Sequence, residues 1–398
     1  MSFGRKGLTP AASARAAAAG PAPSGKALAG EADPGTAATG PDQADRPAAP
    51  ADLAAIFARL IATHGPISLQ QYMGEANARY YASRDPLGVT GDFITAPEIS
   101  QVFGELVGLW LADLWLRAGR PQPVHYVELG PGRGTLARDA LRAMARFGLA
   151  PAVHFVETSL TLKALQLEAV PQARWHDDLA SLPHEGALLV VANEFLDALP
   201  VRQLVRSWEG WRERMVDWTG EAFVPVAGDR PMEAALPEDR RIAPVGTIIE
   251  SCPGAAAVVF ELAGRLVVQG GAALVIDYGY DELRQGSTLQ AVRGHAKVDP
   301  FAAPGEADLT ALVDFATLRA VAESRACRCL GTVEQGAWLN ALGGPARARA
   351  LAQASPDQAH AILSGYTRLV DPEQMGRLFK VMGLAAPHWP EGEGFTAA

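Results

Sequence analysis

The chain has 398 residues, 48% hydrophobic and 20% charged, enough for one large domain or two ordinary ones with a true core. A formal charge of −9 excludes a general nucleic-acid binder built on a basic stripe, although a local basic groove is compatible with that total. The three cysteines, Cys252, Cys327 and Cys329, are odd in number and lack C-x-x-C spacing, which speaks against a disulfide framework or a structural zinc and for a reducing compartment.

Residues 1–50 are rich in Ala, Pro, Gly and Ser and nearly free of large apolar side chains, so they read as a disordered tail. Arg5, Lys6, Arg15 and Lys26 precede the first acid, Glu31, as in a mitochondrial presequence. The same Ala/Arg preference recurs at 346–350, however, and favours a compositional bias in a bacterial cytoplasmic protein. Residues 51–120 read as an N-terminal helical region. Leu53, Ile56, Phe57 and Leu60 recur at helical spacing behind Asp52. A second helix is expected over 69–77, then a loop over 85–97, then a helix from Glu98 to about Arg117 with Pro97 and Glu98 as entry signals. Glu105 and Asp113 interrupt that helix, so stable membrane insertion is not expected.

Residues 121–385 read as an α/β core. Nearly continuous apolar strands are expected at 124–129, 153–156, 173–176, 187–192 and 272–276, alternating with helices such as 159–169, which indicates a parallel sheet covered on both faces. A β-rich insert occupies about 201–266, with hairpins carrying Trp208, Trp211 and Trp218 and a helix over 254–266. A motif-rich loop follows at 278–310, the last strands fall at 327–333 and 379–384, and residues 386–398 form a tail. Cys327 and Cys329 would share one face of their strand as isolated thiols.

The first strand ends in Glu128-Leu-Gly130-Pro-Gly132-Arg-Gly134 and opens a helix. Glycines there permit a tight turn and close approach of a ligand to the backbone. A dinucleotide fold wants G-x-G-x-x-G, but Thr135 stands after Gly134, so the third glycine falls one residue early. Glu128 would repel a phosphate and attract the ammonium of a sulfonium donor with an amino-acid tail. Glu157 ends the second strand, where an acid takes a ribose hydroxyl pair. Asp177 and Asp178 follow the third strand, where an acid can accept from an adenine amino group; either could instead cap a helix over 179–182. Asn193-Glu194-Phe-Leu-Asp197 follows the fourth strand, at the carboxyl edge where open α/β sheets bind ligands. Asn193 or Glu194 would face the transferred group, while Asp197 is as readily a helix cap. His295 alone in a loop is a weak signal for a general base, and no cluster has metal-ligand spacing.

Several runs together carry a resemblance: 91–105 (GDFITAPEISQVFGE), 128–136, 193–203 (NEFLDALPVRQ), 270–279 (GGAALVIDYG), 288–295, 304–310 with 313–315, and 374–382. Over about 52–385 the chain resembles the MidA-type methyltransferases, related to a mitochondrial complex I assembly factor that methylates arginine. Leu312 departs from that pattern, where a polar residue is expected, so specificity at that position is open. The resemblance implies a Rossmann-like class I methyltransferase fold, a seven-stranded, mostly parallel sheet, with S-adenosyl-L-methionine as cofactor. It also implies a protein arginine as acceptor, with a respiratory NADH dehydrogenase subunit as the partner and no nucleic acid. A guanidinium would need carboxylates to orient its donors. Glu194 is the first candidate for catalysis and Asp92 or Asp197 the second; Asp92 could equally be a turn residue after Gly91. Glu128, Gly130, Gly132, Gly134, Glu157, Asp177, Asp178 and Asn193 are the expected cofactor contacts. The alternative is a non-catalytic assembly chaperone whose bound cofactor is structural, docking through the tryptophans of the insert.

Overall fold

Six consecutive apolar residues, Ala187 to Ala192, cannot face water on either side, and in the computed structural model they form a strand buried along its whole length. Residues 52–83, 95–282 and 284–395 are described; the expected tail over 1–50, the loop carrying Asp92 and residues 396–398 lie outside them. Labelled in chain order, the main-sheet strands are β1 (Val124–Leu129), β2 (Ala152–Val156), β3 (Arg174–His176), β4 (Ala187–Asn193), β5 (Gly271–Tyr280), β6 (Arg328–Glu334) and β7 (Phe379–Ala385). Their order is β6-β7-β5-β4-β1-β2-β3. All are parallel to one another except β7, which runs antiparallel to both neighbours. A two-residue strand, Val313–Asp314, pairs with the end of β5. The expected mostly parallel sheet is present, with Val313–Asp314 as an eighth strand beyond the seven expected.

The helices preceding and crossing the sheet are α1 (Leu53–His64), α2 (Leu69–Ser83), α3 (Ala96–Ile99), α4 (Gln101–Arg117), α5 (Thr135–Ala145), α6 (Leu160–Ala169), α7 (Pro253–Gln269) and α8 (Phe315–Ser324). Between β6 and β7 come α9 (Gln335–Ala341), α10 (Gly344–Ala354), α11 (Ala359–Val370) and α12 (Met375–Leu378). Alternate strand residues build two cores. Tyr126, Phe155, Leu189 and Leu274 face α4 and α5; Val127, Leu188, Val190 and Val275 face α7 and α8. Cys327 belongs to the second core and Cys329 packs against it, so they share a face as free thiols.

Several boundaries differ from expectation. The helix expected from Glu98 is two helices: Ser100 leaves the helical conformation (φ −156°) and its Oγ accepts from Val102 N to cap α4. The helix Pro253–Gln269 packs on the main sheet rather than on the insert, whose strands end at Ser251. Strands Arg202–Ser207, Gly210–Trp218, Phe223–Pro231 and Ile248–Ser251 form the insert sheet, joined at its edge by Ile67–Ser68. The run 278–310 is not simply a loop: Gln290–Arg293, Ala296–Val298 and Asp308–Thr310 make a three-stranded sheet. Among the tryptophans, Trp211 is fully buried, Trp218 stacks on Phe223 at 4.6 Å, and Trp208 is 88% exposed. α1 and α2 share a core with this insert, through Phe57, Tyr72, Val216 and Phe223.

Glu105, which interrupts the apolar face of α4, is buried and held by Nε and Nη2 of Arg347 on α10 at 2.6 and 3.0 Å and by Arg142 on α5 at 3.2 Å. Burial pushes its carboxyl up, but the two guanidiniums outweigh that and leave it below the usual range. Beside it, α4 and α5 approach closely because Gly104 and Gly108 lie one turn apart. A Cβ at Gly108 would fall 2.3 Å from Ala140 O and 2.6 Å from its Cα. Gly108→Val should therefore lower unfolding stability by about 2 kcal/mol or more in denaturant melts, through overpacking of a backbone contact.

Candidate active site

The carboxyl edge of the sheet opens into a cavity of about 440 Å³, within the size range of small-molecule sites. Its floor is the glycine turn after β1. Gly130, Gly132 and Gly134 have φ of +60°, +54° and +78°, the left-handed region that glycine enters without strain. A Cβ at Gly130 would also fall 2.7 Å from the ring of Phe195, and one at Gly134 3.2 Å from Ala169 Cβ. The turn is thus pressed against both the loop after β4 and helix α6. Thr135 starts α5, and its hydroxyl donates to Glu98 Oε1 at 2.5 Å, tying the turn to α3.

Glu128 is 3% exposed and accepts the Tyr126 hydroxyl at 2.6 Å. Burial drives its pKa up to about 8, against the opposing effect of that hydrogen bond. Glu157, at the end of β2, accepts the N–H groups of Thr158 and Ser159 at 2.8 Å each on one oxygen and Gln166 Nε2 at 3.2 Å on the other. Gln166, fully buried on α6, also donates to Gly132 O at 2.8 Å and accepts from Trp175 Nε1 at 2.8 Å. It is a joint between the glycine turn and Glu157.

On the other wall, the turn after β4 begins with Asn193 and Glu194. Asn193 is 8% exposed; its Nδ2 donates to Glu194 Oε1 at 3.2 Å, while its buried Oδ1 has no partner. Glu194 takes φ +51°, uncommon for a residue with a side chain. Its carboxylate accepts from Ala96 N at 3.1 Å and from the Tyr278 hydroxyl at 3.3 Å. Burial raises its pKa to about 7, opposed by these donors and by the charge of Arg368. Asn77 and Tyr81, one turn apart on α2, complete the wall. Asn77 bonds Ala198 O at 2.9 Å and both backbone groups of Leu309, and Tyr81 donates to Asp308 at 3.0 Å.

The cavity therefore brings together Glu128, the three glycines' turn, Glu157, Asn193 and Glu194. Asp177 and Asp178 do not line it. Asp177 is exposed and pairs with Lys163 at 3.1 Å. Asp178 accepts from Ser181 N at 2.9 Å and caps a turn; the helix expected over 179–182 is absent. Asp197 is not a helix cap either, because 195–199 is a turn without helix. Its buried carboxyl is pushed well up, by burial first and then by the charges of Asp277, Asp308 and Glu194. His295 stands exposed at a hairpin corner with φ +59°, away from the cavity. Leu312 lines a different cavity of about 270 Å³, between the insert and α8. Among the described residues no group of His, Cys, Asp or Glu could hold a metal ion, and no helix is long and apolar enough to cross a membrane.

Sequence reading missed Asp277, Tyr278, Asn77, Gln166 and Glu98. Two signals were present: polar residues at i and i+4 on the otherwise buried face of α2, and a carboxylate closing the wholly apolar β5.

Known proteins match this geometry. The family model of S-adenosyl-L-methionine-dependent methyltransferases matches residues 106–333. The mitochondrial protein arginine methyltransferase NDUFAF7 of Mus musculus is 38% identical over 368 residues, covering 82% of this chain and 83% of that protein. The Homo sapiens protein of the same name is 36% identical over 368 residues, covering 82% of each. A crystal structure from Burkholderia thailandensis, described as a "likely methyl transferase" bound to S-adenosyl-homocysteine, is similar with a TM-score of 0.73 and 27% identity, covering 87% of this chain and 93% of that one.

One consequence of the buried Glu128 is independent of any ligand. In the folded chain it keeps its proton up to about pH 8, whereas unfolded it releases it near 4.5. Between those values the folded state carries the extra proton, so stability falls as pH rises, by at most about 1.4 kcal/mol per pH unit. Glu128→Gln should remove that component: in denaturant melts its stability relative to the unsubstituted chain should rise steadily from acid pH to about pH 8.

Proposed function

The chain belongs to the family of S-adenosyl-L-methionine-dependent methyltransferases and takes its methyl group from that donor, and from that premise we propose that it transfers the methyl to an arginine side chain of a protein, with Glu194 as the acceptor-side carboxylate. The observation that carries the reading is the cavity's acidic lining: the carboxyls of Glu98, Glu128, Glu157 and Glu194 stand against one guanidinium, Arg133. Such a lining favours cations, namely the donor's ammonium and sulfonium and an acceptor guanidinium. The names of the arginine-methylating relatives support the same acceptor.

The residues present fit the donor. Gly130 and Gly132 leave backbone bare where a ligand approaches, Glu128 suits the ammonium, and the N-terminus of α5 suits the carboxylate of the amino-acid tail. Glu157 is proposed for the ribose hydroxyls, and the unpartnered Oδ1 of Asn193 for a donor N–H or O–H of a ligand; a contact of Asp177 or Asp178 with the adenine amino group would have to form outside the cavity's lining. The donor supplies an electrophilic methyl on a sulfonium. Transfer forms a nitrogen–carbon bond and breaks the sulfur–carbon bond, leaving a neutral thioether. The methylated guanidinium sheds one proton, and Glu194, poised near neutrality, takes it. A carboxylate beside it would fix the guanidinium fork. Asp92 is proposed as that partner, with Asp197, behind the turn after β4, as the second candidate.

We place the acceptor in a subunit of the respiratory NADH dehydrogenase, and the enzyme in the aqueous compartment beside it, the bacterial cytoplasm or the mitochondrial matrix. Mass spectrometry of those subunits with and without this protein should reveal loss of one methylarginine; an unchanged methylarginine inventory would sink this acceptor. In calorimetry, Glu128→Ala should weaken S-adenosyl-L-methionine binding by about 10- to 100-fold, as loss of a charged hydrogen bond implies. Glu194→Gln should retain S-adenosyl-homocysteine binding yet lower kcat by about 100-fold or more, the loss expected of a general base.

A further inference from the structure

The end of β5 serves the turn after β4 with two neighbouring side chains, neither of which lines the cavity. Asp277, fully buried, directs one carboxylate oxygen at three successive N–H groups, Phe195 at 3.2 Å, Leu196 at 2.9 Å and Asp197 at 3.2 Å. Its other oxygen accepts its neighbour's own amide, Tyr278 N, at 3.0 Å. Glu194 N donates to Ile276 O at 2.9 Å on the same strand. The residue held between these bonds is Glu194, at φ +51°. A left-handed conformation costs about 1 kcal/mol or more for a residue with a side chain and persists only where its surroundings over-determine it. The next side chain on the strand, Tyr278, then donates its hydroxyl to Glu194 Oε2.

We infer that Asp277 and Tyr278 are positioning residues that set, respectively, the backbone and the charge of Glu194, so that the site discriminates the sulfonium donor from its neutral thioether product through that one carboxylate. This inference rests on the proposed role of Glu194 and deepens it. An ionised Glu194 attracts the sulfonium of S-adenosyl-L-methionine and gains nothing from the uncharged sulfur of S-adenosyl-homocysteine. Both molecules carry the same ammonium, so the titration of Glu128 cancels in the ratio of their affinities. The groups facing Glu194 are Arg368 of α11, which favours its charge, and the carboxyls of Asp197, Asp277 and, beyond them, Asp308 with Tyr81. Tyr278 itself is held well above the usual phenol range by burial and then by these carboxylates, so it remains a donor across the working range.

The test is calorimetry of S-adenosyl-L-methionine and S-adenosyl-homocysteine on the full chain from about pH 5.5 to about 8.5. The affinity ratio should rise with pH as Glu194 ionises and be flat in Glu194→Gln. Tyr278→Phe keeps the ring that packs on Phe379 at 4.3 Å but removes the hydroxyl. It should move the midpoint of that rise upward by about one pH unit while leaving S-adenosyl-homocysteine affinity unchanged. Asp277→Asn should lower the ratio at every pH. A midpoint unmoved in Tyr278→Phe, with Glu194→Gln flat, overturns this inference alone. A ratio that still titrates in Glu194→Gln overturns the role of Glu194 itself. Should Asp277→Asn fail to fold, Tyr278→Phe decides.

Discussion

Gly130 and Phe195 meet where two crossovers leave the carboxyl edge of adjacent strands, and the cavity depends on that contact. Phe195 fills the volume that any side chain at position 130 would need. The turn after β1 and the turn after β4 are therefore one packed unit, not two loops that happen to be near. Parallel strands emerge from the sheet in the same direction, so their following turns are forced together at one edge. The proposed donor site would use that geometry, with bare backbone from the first turn and the carboxyl of Glu194 from the second.

Charge is managed by burial in this site. Glu128, Glu194, Asp197 and Asp277 lie close to one another or to the same cavity, and desolvation is the first cause of the upward shift in each. An apolar surrounding makes an unpaired carboxylate costly, so each either holds a proton or gathers N–H and O–H donors. A cationic ligand relieves the same cost by ionising them in place. Elsewhere the fold resolves the problem differently: Glu105 is less deeply buried, takes two arginines and stays charged, which suits a joint between helices rather than a reactive group.

The site is supported from outside the sheet. α2, which shares a core with the insert, reaches over the cavity and bonds the turn after β4 and the strand Asp308–Thr310 through the single side chain of Asn77. The insert is thereby coupled to the reactive edge without contributing a strand to the main sheet. Trp208 stays exposed at its far end, while Trp211 is consumed by the local core.

The amino-acid sequence by itself determined the strands, their parallel order of succession and the glycine turn. Apolar runs such as 187–192 and 272–276 have no other way to bury both faces, and three closely spaced glycines before a helix mark positions where the backbone must turn left-handed. Glu128, Glu157, Asn193 and Glu194 were legible because each directly follows or ends such a strand. Tertiary structure alone decided what became of the remaining acids. Asp197 and Asp277 sit 80 residues apart in the chain yet bond across one turn, and no local spacing encodes that partner. Asp178 and Asp197 looked like helix caps because capping residues are chosen for local hydrogen bonds, which turns satisfy equally well. Ser100 broke the long helix for the same reason, its hydroxyl offering the chain a fresh start. Local chemistry fixed where the glycine turn would be; only packing fixed which carboxyls line the cavity beside it.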